Sequence, residues 1–213
     1  MVHRRTKWLC KVTAPLVVGV LGSATLWPSF AAPVSDPVIR VEEDWELVVN
    51  EPNDNTKAPQ FHTVMSPFGD LNSFYAQTLW NYREAPNFVA GGVQLASYDG
   101  ETLIRQRSIE YGTLSTSAET ITWTQALQTD GTVLTFSILD GVSTTWGAFG
   151  RDMYISSQAY LAQLNGYAPE VSAANSCVTY GSNRVQSLTI KRVRYYGASG
   201  LLYVDNTERV VGE

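Results

Sequence analysis

The sequence predicts an all-β fold, a two-sheet antiparallel sandwich of jelly-roll type with very little helix. Three observations predict it. Strand-like runs follow one another almost without break from Val38 onward, separated by turn residues at intervals of about 8–12. Three Asp-Gly pairs, Asp99-Gly100, Asp130-Gly131 and Asp140-Gly141, sit between apolar runs, and Asp-Gly tolerates the positive φ of a tight hairpin. Only Ser157 to Leu164 has a helical look, and it is short.

The chain opens with Arg4, Arg5, Lys7 and Lys11 and no acidic residue, followed by an apolar stretch centred on Leu16 to Leu21. Ser29-Phe30-Ala31 then places small residues where a signal peptidase reads them, so residues 1–31 are expected to be a signal peptide cleaved before Ala32. Pro15, Pro28 and two glycines interrupt the stretch, which falls short of the ~20 apolar residues that span a bilayer. Export is therefore expected, to the periplasm, the cell surface or the medium, with no membrane span once the leader is gone. Arg4-Arg5 leaves both the general and the twin-arginine route open.

Residues 32–37 form a short linker with two prolines, and 38–213 a single β domain. Val38 to Asn50 alternates, with Ile39, Val41, Trp45, Leu47 and Val49 on one face. Further strands are expected over Gln60 to Ser66, Ser73 to Arg83, Val89 to Tyr98 and Glu101 to Arg107. Three more follow at Thr120–Leu127, Val133–Leu139 and Val142–Ala148, and the last two at Arg184–Tyr196 and Leu201–Val211.

Removing the leader leaves 11 basic against 20 acidic residues, a net charge of −9. That balance argues against a nucleic-acid partner. Of the cysteines, only Cys177 would remain, so a domain without a disulfide is expected, with Cys177 as a buried small hydrophobe. His62, the remaining histidine, lies in an alternating strand without a catalytic partner motif and reads as structural.

The strand rhythm, the Asp-Gly hairpins and the basic late strand together resemble the concanavalin A-like lectin/glucanase superfamily over most of the mature chain. That resemblance implies a jelly roll, and it gives Glu42, Asp44 and Glu46 a reading. They alternate within Glu42-Glu43-Asp44-Trp45-Glu46, so their carboxylates emerge on one face, as in the Glu-x-Asp-x-Glu arrangement of retaining glucanases on this fold. Glu42 would be the nucleophile and Glu46 the acid/base. The competing expectation is structural. The first and last strands of such folds lie side by side, and Arg184, Lys191, Arg192 and Arg194 make the late strand basic, so the two faces would form a charge ladder.

Asn50-Glu51-Pro52-Asn53-Asp54-Asn55 is oxygen-rich and reads either as turn chemistry or as a structural calcium loop through Asn50, Glu51, Asn53, Asp54 and Asn55. Tyr75, Trp80, Asn81, Tyr82, Arg83 and Trp146 combine flat rings with hydroxyl-binding groups and are the expected ligand-binding set. The function favoured is a non-catalytic module that binds a polysaccharide or another envelope component. A secreted glycan-degrading enzyme using Glu42 and Glu46, and a structural cell-surface protein, are the alternatives.

Overall fold

The computed structural model describes residues 36–51, 59–81, 91–112, 114 and 118–212. The leader and most of the linker lie outside the described residues, as do Asn53, Asp54, Asn55, Tyr82 and Arg83. In chain order the strands are β1 (Arg40–Val49), β2 (Gln60–Met65), β3 (Phe74–Trp80), β4 (Val93–Asp99), β5 (Thr102–Ile109) and β6 (Glu119–Thr129). They continue as β7 (Val133–Ser143), β8 (Gly147–Phe149), β9 (Met153–Gln158), β10 (Cys177–Tyr180), β11 (Val185–Gly197), β12 (Gly200–Asp205) and β13 (Arg209–Val210). One helix, α1 (Pro169–Asn175), precedes β10.

Two antiparallel sheets result. The eight-stranded sheet runs β12-β11-β1-β6-β7-β8, with β13 also on β11 and β9 also on β7. The five-stranded sheet runs β10-β2-β3-β4-β5. Several sequence neighbours pair as hairpins, and turn chemistry explains two of them. Gly100 (φ 55°) closes β4 onto β5, and Gly131 (φ 96°) closes β6 onto β7. At the second turn Asp130 Oδ1 accepts bonds from the amides of Thr132 and Val133 at 2.8 and 2.7 Å.

The third Asp-Gly pair is not a turn. Asp140 and Gly141 lie inside β7, which runs unbroken to Ser143 with a register shift opposite Thr124/Gln125. Gly141 is needed for space, since a Cβ there would sit 2.3 Å from the Phe149 ring. The helical expectation over 157–164 also moves. Ser157 ends in β9, and the helix forms at 169–175, where Pro169 occupies the first turn and has no amide proton to lose.

Both sheets turn apolar faces inward. Trp45, Trp80, Trp123 and Phe61 meet in the middle, with Trp45–Trp123 and Phe61–Trp80 stacked at 5.9 and 5.3 Å between ring centroids. Among the described residues no helix is long and apolar enough to cross a membrane. Cys177 is disulfide-bonded, which corrects the expectation of a domain without a disulfide. Its partner lies outside the described residues.

Candidate functional site

The acidic strip and the basic late strand do lie side by side. β1 pairs antiparallel with β11, placing Glu42 opposite Arg194 and Asp44 opposite Arg192. Arg194 bridges two rungs, with Nε 2.8 Å from Glu42 and its terminal nitrogens 2.8 and 3.0 Å from Asp44. Arg192 Nε donates to Asp44 at 2.7 Å, and Lys191 lies 3.7 Å from Glu46. Glu42 is only 5% exposed, and Arg40 and the Tyr196 hydroxyl occupy the rest of its carboxylate. A glycosidase nucleophile must be free to attack its sugar. The Glu42 oxygens are held by two guanidiniums and a phenol. Arg184 stands apart from the ladder, buried, with a terminal nitrogen donating to the Asn50 carbonyl.

Glu43, next along the strand, points the other way. It is fully buried between the sheets, with no cation beside it among the described residues. One carboxyl oxygen accepts from the Trp45 indole at 2.8 Å and the Gln125 amide at 2.7 Å, and the other from the Tyr167 hydroxyl. Thr63 on the opposite sheet donates to Gln125 at 2.8 Å, and Tyr167 lies 3.3 Å from Ser172 of α1. The shell serves either protonation state: with a proton on Glu43, the carboxyl donates to Tyr167 and the phenol turns to Ser172. Burial holds the Glu43 carboxyl above its ordinary range, against the hydrogen bonds from Tyr167, Ser172, Trp45 and Gln125. Burial, reinforced by the neighbouring Glu43 charge, also pushes Tyr167 well above the usual phenol range. Through Gln125 and Thr63 the shell joins the two sheets.

The expected ligand-binding set is dispersed. Trp80 is fully buried, stacked between Phe61 and Trp146, and so cannot present a ring to solvent. Asn81 is buried as well; its amide donates to the Pro59 carbonyl at 3.0 Å and its oxygen accepts from the Leu114 amide. Both assignments are corrected to core roles. Core packing captures Trp80 because it shares its face of β3 with Phe74, Ala76 and Thr78. Tyr75 points outward, half-buried and stacked on Tyr98 at 5.1 Å. Trp146 packs half-buried against Trp80 and Tyr111, its indole donating to the Gly112 carbonyl. Asn50 and Glu51 are exposed, and no described group of three His, Cys, Asp or Glu residues could hold a metal ion. His62 Nε2 lies 3.1 Å from the Asn175 carbonyl, and burial lowers its basicity, both consistent with a structural role.

A groove of about 310 Å³ opens instead at one end of the sandwich, a size near the lower end of ligand sites. Three segments wall it: the β2–β3 loop with Phe68 and Ser73, the β4–β5 turn with Asp99 and Ile104, and the chain leaving β9 with Gln158 and Tyr160. The loop is braced by Ser66, whose hydroxyl donates to the Asp70 carbonyl at 2.6 Å and accepts from the Phe68 amide at 3.2 Å. Tyr160 is 72% exposed and has φ 44°, a left-handed backbone that a bulky side chain rarely adopts. That conformation costs about 1–3 kcal/mol. The amides of Ala159 and Tyr160 hold it by donating to the Thr132 carbonyl at 3.0 and 3.2 Å, and Gln158 donates to the phenol. Neither the Asp99 carboxylate nor the Ser73 hydroxyl hydrogen-bonds to a described residue.

Glu43, Tyr160, Phe68 and Asp99 carry no binding motif in the sequence. Glu43 did carry a signal, since it alternates in phase with Val41 and Trp45 on the core face. Asp99 reads as turn chemistry and Tyr160 as part of a helical stretch, and both roles depend on how three distant segments meet. No family model matches the chain, and neither a curated protein nor a solved structure does.

Proposed function

We propose that this is an exported, non-catalytic carbohydrate-binding module and that the end groove is its site. One observation carries the reading: Tyr160 is held exposed in a strained conformation, at the lip of a groove where the Asp99 carboxylate and the Ser73 hydroxyl hydrogen-bond to no described residue. Backbone strain persists where surrounding structure enforces it, and it concentrates at ligand sites. A sugar ring stacks its C–H face on such a phenol, with Phe68 beside it, while Asp99, Ser73 and Gln158 take hydroxyls. Glycan hydrolysis by Glu42 and Glu46 has less support, because the Glu42 carboxylate is enclosed by Arg40, Arg194 and Tyr196.

The test is a glycan array probed with the protein and with Tyr160→Ala, with reducing-sugar release measured in parallel. The expected result is binding without release, weakened at least about tenfold in the variant, the equivalent of one lost aromatic contact. Unchanged binding by Tyr160→Ala would put the site elsewhere. Release that disappears in Glu46→Gln would make the protein an enzyme.

A further inference from the structure

We infer that the groove selects amino sugars, through an ammonium subsite formed by Asp99 with the rings of Tyr160 and Phe68. The inference rests on the carbohydrate reading of the same groove and adds the chemical class of the ligand. Asp99 is the charged residue among those lining the groove; no lysine, arginine or histidine joins it. Its carboxylate is exposed and unengaged by described residues, unlike those of Glu42 and Asp44, which arginines neutralise. An exposed phenol ring on the same rim adds a second attraction, since the electron-rich face of an aromatic ring draws a cation.

The wider charge distribution points the same way. The sequence carries 20 acidic against 15 basic residues. Arg40, Lys191, Arg192, Arg194 and Arg209 are already committed to ion pairs on the larger sheet. The chain's net charge is negative, and a protein of negative charge attracts cationic ligands. A uronate or a sulfated sugar would meet the Asp99 charge with no cation to compensate. A neutral sugar would leave that charge partly desolvated and unmatched, whereas a protonated 2-amino group supplies both the charge and up to three donors.

The test titrates the full chain calorimetrically with three oligosaccharides of equal length: glucosamine, N-acetylglucosamine and galacturonate. The glucosamine oligomer is expected to bind about tenfold more tightly than its N-acetylated counterpart. Added salt should erode that advantage, because the charges are exposed. Asp99→Asn keeps the shape and should abolish the preference, while Tyr160→Ala should weaken both ligands. Equal binding of the amine and the amide overturns the inference and leaves the carbohydrate reading standing. So does a preference that survives in Asp99→Asn, or tighter binding of the galacturonate. If none of the three binds, the inference falls, and a blank array in addition removes the carbohydrate reading beneath it.

Discussion

Glu42 and Glu43 are neighbours on one strand, both almost fully withdrawn from water, and the fold accommodates them in opposite ways. Glu42 faces outward and meets two arginines and a tyrosine. Glu43 faces inward and meets an indole, an amide and a phenol, all neutral. The outer carboxylate is matched by opposite charge. The inner one has only dipoles, and burial raises its carboxyl above the ordinary range. Strand alternation alone put identical side chains into these two electrostatic regimes.

The largest effect should come from breaking the inner site. Glu43→Ala strands three buried donors and leaves a cavity, which should cost about 3–5 kcal/mol, a large share of a typical domain's stability. Glu43→Gln keeps the shape and should cost about 1 kcal/mol. Urea unfolding midpoints measure both, and an alanine variant within about 1 kcal/mol of the parent would mean the shell is not what joins the sheets.

On the outer face, Arg194→Ala removes the bridge between Glu42 and Asp44 and should cost about 2 kcal/mol, because Glu42 stays buried with Arg40 as its one remaining cation. Arg192 is nearly half exposed, and Arg192→Ala should change stability by no more than about 1 kcal/mol. Equal losses for the two arginines would show that the ladder is a uniform surface network.

The subtlest contrast is pH. Because burial raises the Glu43 carboxyl in the native state, folding favours its protonated form. That contribution is complete below the ordinary glutamate range and is lost as pH rises through the raised native value. Glu43→Gln cannot titrate, so its midpoint should fall less than that of the parent over this interval. Parallel pH profiles would contradict the assignment.

Much of this was legible in the residues. Alternation located β1, and the Asp-Gly pairs located two hairpins. The charges of 42–46 and 191–194 announced their pairing, because complementary faces on strands have few other arrangements. What could not be read depends on space between distant segments. Asp140-Gly141 has turn chemistry, but Phe149 needs that glycine for clearance. Trp80 has a recognition residue's chemistry, yet its parity on β3 sends it into the core. The groove escaped for a related reason, being assembled from three loops with no shared periodicity.

The position of β1 has a kinetic consequence. Both of its neighbours, β6 and β11, come from far downstream, with Val41 set between Leu127 and Tyr195. The Glu43 shell likewise waits for Gln125 and Tyr167, 82 and 124 residues along the chain. Contacts so distant in sequence form slowly, since the loop must close before they can stabilise it. A polypeptide emerging N-terminus first therefore has no neighbour for β1 until β6 has been made, and that strand stays unpaired on its other side until β11 follows.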